Sequence, residues 1–189
     1  GTARTIPAVS EFIDVRRLAA GDIDLIGEID RSEHVNMLYS VEGKELVGRS
    51  IELDVPPWDR EGTGEHSIGN LIEHWRPLAE AGATLLGAYD GGEFLGLALV
   101  DGRFEPGMAR LGLLHVSRQH RRRGVASALW AAAVRIGESA GAKSMYVSAT
   151  PSSSAVGFYL ERGCELADPP HPDLLAEEPE DIHFICSIE

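Results

Sequence analysis

The sequence predicts a three-layer α/β/α domain of the α+β kind, built on a mixed sheet, and three observations predict it. Apolar patterns of strand spacing and of helix spacing alternate along the chain. The run at 109–116 shows little polar alternation, as a strand buried on both faces does. The 189 residues suffice for one domain with a sizeable core, 1–189, and no repeat or low-complexity linker divides them.

In order, 12–18 reads as a short strand with Phe12, Val15 and Leu18 apolar. A helix follows, with Asp22 as its cap and Ile23, Ile26 and Ile29 at helical spacing. Met37, Tyr39 and Val41 alternate, 42–44 can turn, and Val47, Ile51 and Leu53 lie beyond, so a hairpin spans about 36–54. Residues 67–81 are helical in pattern, with Ile68, Leu71, Ile72 and Trp75 on one side and Pro77 placed to kink or shorten the helix. Strands at 84–89 and 94–100 flank the turn Asp90-Gly91-Gly92. After the strand at 109–116, Gly124 opens a long helix over 125–140, which Gly141 stops. Its apolar stripe is Val125, Leu129, Ala132, Ala133 and Ile136. A strand at 144–149 leads to Thr150-Pro151, a cap followed by proline at the first helical position, and a helix to about Arg162. Strands at 164–167 and 182–188 end the chain, joined by the acidic, proline-rich loop 168–181.

Charge bounds the partners. A net charge of −13 leaves no general basic face for nucleic acid. No apolar run approaches the ~20 residues of a membrane span. Residues 1–10 carry no apolar secretory stretch. Cys164 and Cys186 form no CxxC, so the expectation is a reducing, cytoplasmic setting with both as small buried hydrophobes, a disulfide or redox switch being the competing reading. The histidines at 34, 66, 74, 115, 120, 171 and 183 lack metal-ligand spacing, so no metal site is expected. His120, in the arginine turn, reads as solvent-exposed. Local charge is another matter. Arg118, Arg121, Arg122 and Arg123 make one basic knot, whereas 163–189 carries eight carboxylates besides Arg- and Lys-free sequence. The first region suits an anion, and the second a cation.

The knot lies in Leu114-His115-Val116-Ser117-Arg118-Gln119-His120-Arg121-Arg122-Arg123-Gly124-Val125-Ala126, where a buried strand ends and a helix begins at a glycine. That layout exposes backbone N–H groups at a helix N-terminus, which favour a phosphate. Gly124 admits a close backbone approach, Ala126 leaves room, and the arginines can add charge-assisted bonds. A solvated arginine run before an ordinary helix is the competing reading. The stretch is neither a P-loop, lacking Gly-Lys-Ser/Thr, nor a dinucleotide fingerprint.

Arg121-x-x-Gly124-x-Ala126 resembles the [Arg/Gln]-x-x-Gly-x-[Gly/Ala] pyrophosphate signature of the GNAT acetyltransferase superfamily, with Leu114 and Val116 at the preceding strand end. Ser152-x-x-Ala155-x-x-Phe158-Tyr159-x-x-x-Gly163-Cys164 is similar to that family's second motif, with Ser for Asn and Cys for the last aromatic. The resemblance covers about 83–189, the cofactor-binding half, and implies a mostly antiparallel sheet splayed between the family's fourth and fifth strands, here 109–116 and 144–149. It implies acetyl-CoA as donor, with its pantetheine in the splay near Val116 and Arg118. The N–H groups of Arg121, Arg122, Arg123, Gly124, Val125, Ala126 and Ser127 would hold the pyrophosphate. Ser152 and Ser154 would meet the pantetheine arm or the adenosine side, and Phe158 would pack on the cofactor. Tyr159 would be the general acid for the departing thiolate, although an aromatic packed beside Phe158 and Leu160 is the competing reading.

Many relatives carry a carboxylate base where this chain has Gly112. His115, Glu28, Asp30, Glu33 and Glu52 are open alternatives, with His115 at risk of facing the wrong side of the strand. The resemblance places the acceptor site among the N-terminal elements and the 168–181 loop, with the 36–54 hairpin shaping it. An acidic rim suits a small cationic amine: a polyamine, or an aminoglycoside-like or streptothricin-like antibiotic. The layout after Ile29-Asp30-Arg31-Ser32 is similar to that of streptothricin acetyltransferases. The alternatives are acetylation of protein N-termini or lysines, and a non-catalytic acyl-CoA sensor. Many relatives form homodimers, but no interface is legible.

Overall fold

The computed structural model describes residues 12–189. Strand β1 (Ile13–Leu18) leads into a 3-10 helix, Ala20–Glu28, that buries Ile23 and Ile26. The expected cap is corrected: the Asp22 carboxylate accepts from the Ala19 N–H at 2.9 Å, reaching back from inside the first turn. Gly21 and Gly27 lower the α-helical preference of this short segment. Strands β2 (Glu33–Glu42) and β3 (Glu45–Val55) form a separate antiparallel hairpin, longer than its apolar alternation predicts. Helix α1 (Ile68–Glu80) begins at Ser67, whose hydroxyl accepts from the Asn70 N–H at 3.2 Å. Pro77 lies inside the last turn without ending the helix.

Strands β4 (Thr84–Asp90), β5 (Glu93–Glu105) and β6 (Met108–Val116) are a meander of antiparallel pairs. Helix α2 (Val125–Ser139) crosses to β7 (Ser144–Ala149), which runs parallel to β6. Then come α3 (Ser153–Leu160), β8 (Glu165–Leu166), α4 (Pro172–Glu177) and β9 (Ile182–Ser187). The main sheet has seven strands in the order β1-β4-β5-β6-β7-β9-β8, all antiparallel except the β6–β7 contact.

Strand alternation divides the core between the two faces. Leu86, Val100 and Leu111 meet Leu129 and Ala133 of α2. Leu85, Leu99 and Leu113 meet Ile23, Ile26 and Trp75 from the 3-10 helix and α1. Tyr146, Ala167 and Leu174 make a smaller cluster under α4.

Three further expectations are corrected. Helix α3 starts at Ser153 with Ser152 as N-cap, not at Thr150-Pro151. The Pro151 carbonyl instead accepts the Tyr39 N–H at 2.8 Å and Ser152 bridges to Leu38, so the hairpin holds both residues extended. The 168–181 loop contains α4, whose buried Leu174 supplies the packing that its acidic composition hides. Cys164 and Cys186 are not two free thiols but a disulfide, with Cα atoms 4.1 Å apart. Its 22-residue separation corresponds to about 3 kcal/mol of unfolded-state restraint in the chain-entropy account.

Candidate active site

The sheet opens where the arginine turn begins. β6 pairs with β7 only from Met108 to Leu111, and beyond that the two strands part. Gly112 is the cause. It is an extra residue in the β5–β6 ladder, because Val100 pairs with Leu111 and Leu99 with Leu113, and such a bulge bends its strand. The residue has to be glycine, since a Cβ there would stand 2.7 Å from the Trp75 ring. Trp75 therefore occupies the room in which relatives place a carboxylate base.

The bulge also turns the following side chains. Leu114 and Val116 pack toward α2, while Leu113 and His115 face the α1 side. His115 meets Trp58 edge-on, with centroids 5.0 Å apart. Burial, with Arg121 and Arg31 adding to it, pushes the imidazole down to about 4. It is neutral at ordinary pH but a weak proton acceptor.

At the turn, Arg122 (φ 60°) and Gly124 (φ 82°) adopt left-handed backbone. Gly124 is the N-cap of α2 and supplies no side chain, and Ala128 makes the first i→i−4 bond, to the Gly124 carbonyl. The N–H groups of Val125, Ala126 and Ser127 have no partner among the described residues. They form an open anion cradle at the positive end of a 15-residue helix.

The motif arginines are not all free to reach into it. Arg121 donates to the Val116 carbonyl at 3.1 Å and to the Ser32 carbonyl at 3.1 Å. Arg118 reaches the Ser32 hydroxyl at 3.3 Å, and its backbone N–H donates to the Asp30 carbonyl at 2.9 Å. Arg123 is held by Asp90 at 3.0 Å and His120 at 3.1 Å. His120 is buried rather than exposed, because it is wedged between Arg123 and Glu93. Arg118 and Arg122 are exposed, and of the four only Arg122 makes no side-chain hydrogen bond among the described residues. The arginines mostly fix the loop, and the backbone faces the cradle.

Sequence reasoning missed the brace beneath this loop. The Ser117 hydroxyl accepts from the Asp30 N–H at 3.0 Å, and the Asp30 carboxylate accepts from the Ser32 N–H at 2.9 Å. Those bonds to Ser32, with Arg118 and Arg121 nearby, hold Asp30 below the usual carboxylate range. Asp30 is committed to structure, so it is a poor base.

Across the opening, α3 presents the second motif. Ser152 is buried, its hydroxyl 3.2 Å from that of Ser154, and Ser154 donates to Glu33 of β2 at 2.5 Å. Tyr159 is 6% exposed. Its ring contacts Phe158, Trp130 and Phe184 at centroid distances of 5.1, 5.8 and 6.0 Å. Its hydroxyl has no hydrogen-bond partner among the described residues. Burial raises its pKa, against Arg162, and Asp181 raises it further. The phenol keeps its proton across the physiological range, as a general acid must.

The wall beside Tyr159 carries a carboxyl pair that the sequence showed only as part of an acidic loop. Glu178 and Asp181 share a hydrogen bond. Burial, then that bond and the Asp181 charge, pushes Glu178 up to about 8. Burial also raises Asp181. The loop is pinned from below: His183 Nε2 lies 3.0 Å from the Glu178 carbonyl, which can only accept, so Nε2 carries the proton. Nδ1 then accepts from the Tyr146 hydroxyl at 2.8 Å, and that oxygen accepts the His171 N–H at 2.9 Å.

Among the described residues no group of three or more His, Cys, Asp or Glu could hold a metal, and no helix is long and apolar enough to cross a membrane. A cavity of about 560 Å³ lies between Leu78, Thr84, Arg103 and Ile136, at the C-terminal ends of α1 and α2. It is at the far end of the sheet from the cradle and offers no comparable row of free N–H groups.

The acetyltransferase (GNAT) family profile matches residues 49–164. No curated protein matches the sequence. Among solved structures, a nourseothricin acetyltransferase is similar at TM-score 0.66 and 18% identity, covering 94% of this chain and 99% of the other. A candidate streptothricin acetyltransferase from Bacillus anthracis str. Ames, in complex with acetyl coenzyme A, gives 0.60 and 16%, with 96% and 99% covered. The ribosomal-protein-S18-alanine N-acetyltransferase from Escherichia coli gives 0.58 and 13%, with 94% of each chain covered.

Proposed function

The chain belongs to the GNAT acetyltransferase family, and we propose that it moves an acetyl group from acetyl-CoA to a primary amine of a small, cationic molecule. One observation carries this reading: the splay, the N–H cradle and the unpartnered Tyr159 hydroxyl lie along one opening of the sheet. The residues present fit the donor. The cradle suits its pyrophosphate, and the unpaired edge of β6 beyond Leu111 suits an extended amide-bearing arm. Ser152, Ser154 and Phe158 line the α3 side of that course. Acetyl-CoA supplies the activated acyl carbon as a thioester.

The chain's residues then handle protons. Tyr159 Oη gives its proton to the thiolate sulfur as the C–S bond breaks. The attacking nitrogen must lose a proton as the amide forms. Gly112 supplies no acceptor and His115 is too weak a base, so the Glu178–Asp181 pair is the best-matched recipient. Its negative charge, with the rest of the acidic loop, also favours a cationic substrate. The hairpin supports a small acceptor over a peptide. It is pinned across α3 by the Leu38–Ser152 bridge and to the acidic loop by Lys44–Asp168, at 3.0 Å, which narrows one side of any peptide groove.

The test is thiol release from acetyl-CoA with nourseothricin, spermine and an alanine-ended peptide as acceptors, read together with a one-acetyl mass gain of the acceptor. Turnover with the first or second supports the reading. Turnover with the peptide alone overturns it in favour of protein acetylation, and thiol release with none of them overturns the proposed substrate class.

Glu178→Gln tests the proton acceptor. The wild type is expected to gain kcat/KM as pH rises toward about 8, where Glu178 loses its proton. The variant should lose that limb and about 10²–10⁴-fold in rate. Stability gives a second readout that needs no acceptor. A folded-state pKa above the unfolded value means that the folded chain binds more protons, so stability present at low pH falls as pH rises toward 8. Glu178→Gln should flatten the fall in melting temperature between pH 5 and 9. An unchanged pH–rate profile removes Glu178 from the reaction.

A further inference from the structure

Arg162 is outside every motif position assigned above, yet it stands between two of them. It lies just beyond α3, and its guanidinium donates to the Ser127 hydroxyl at 2.6 Å, in the first turn of α2. It also donates to the Phe158 carbonyl at 2.8 Å and lies 3.4 Å from the centroid of the Phe158 ring. A stacked guanidinium with its in-plane donors fixed is a preorganised anion receptor. Ser127 carries one of the free N–H groups of the cradle, so this cation sits one hydroxyl away from it. Three of the motif's own arginines, Arg118, Arg121 and Arg123, are spent on Ser32, Val116, Asp90 and His120, which leaves Arg122 as the turn's one arginine side chain without a partner among the described residues.

We propose that Arg162 is a binding residue for a phosphate of the donor, supplying from the α3 side a second cation beside the one the arginine turn leaves unpaired. The inference rests on the acetyl-CoA site described above. On binding, the guanidinium exchanges its neutral Ser127 partner for a phosphate oxygen, and a charge-assisted bond replaces a weaker one. Two phosphate sources share this chemistry, the pyrophosphate and the ribose 3′-phosphate.

Calorimetric titration with CoA and with 3′-dephospho-CoA separates them and needs no acceptor. Arg162→Gln should weaken CoA binding by about tenfold, ~1.4 kcal/mol, while Arg162→Lys keeps the charge and recovers most of it. A loss confined to CoA assigns the 3′-phosphate, and an equal loss for both ligands assigns the pyrophosphate. The proposal is overturned if Arg162→Gln binds CoA as the wild type does. It is equally overturned if Arg162→Gln and Arg162→Lys lose affinity alike in step with a lower melting temperature, since the role is then structural. Failure of the wild type to bind CoA removes the donor site itself, a result distinct from either.

Discussion

Replacing Gly124 by glutamate is expected to lower acetyl-CoA affinity by at least a hundredfold, read by calorimetric titration, with the protein still folded. Two physical effects combine. The residue at 124 must hold φ near 82°, where an L side chain costs about 1–2 kcal/mol. The larger effect is competition. A carboxylate at the N-cap of α2 accepts the N–H groups of Ala126 and Ser127, which are free in the wild type. It occupies the cradle and repels phosphate. The same carboxylate is favourable at a helix N-terminus, so it offsets part of the strain, and the loss appears in binding. A hundredfold is ~2.7 kcal/mol, within reach of losing two or three charge-assisted bonds. Gly124→Ala separates the effects, because it keeps the strain without the charge and should lose less than tenfold. If the glutamate variant binds acetyl-CoA as the wild type does, the cradle is not the phosphate site.

What was legible in the sequence was what local spacing governs. The β6 strand, the Gly124 helix start and the Gly141 stop appear where patterning puts them, because each depends on residues within one turn. Elements set by distant contacts were misread. The start of α3 depends on Tyr39, more than a hundred residues earlier, which claims the Pro151 carbonyl. The α4 helix depends on a single buried leucine amid acidic residues, too little for a periodicity signal. The disulfide joins the residue just before β8 to one on β9, and two cysteines without a motif do not announce their distance.

The site divides in the same way. The N–H cradle is written in Gly124 and the helix that follows, so the sequence located it. The roles of the arginines were not legible, because charge count says nothing about partners. Ser32 and Asp30 take up much of that charge, and no motif marks them. The absent carboxylate at 112 was legible as a departure. Its reason is a contact with Trp75 of α1 that only the fold creates. Glu178 stood out in no way from the carboxylates around it, since burial separates a group near 8 from its neighbours.

Tyr159→Phe is expected to leave acetyl-CoA affinity within twofold of the wild type and to lower kcat by about 10²–10⁴. The affinity should hold because phenylalanine keeps the ring that packs on Phe158, Trp130 and Phe184. Stability should hold as well, since the hydroxyl that is removed has no hydrogen-bond partner to leave unsatisfied. The rate should fall because the thiolate then leaves without a proton donor, and water reaches a slot this buried poorly. The pH profile adds an independent check. With its pKa raised by burial, Tyr159 holds its proton beyond the ordinary tyrosine value of about 10. The wild type should therefore show no alkaline limb from this group up to about pH 10. If kcat survives the substitution, Tyr159 is a core aromatic and the proton reaches sulfur from elsewhere. If kcat falls together with affinity and melting temperature, the ring itself was disturbed, and the assignment of Tyr159 as general acid fails with it.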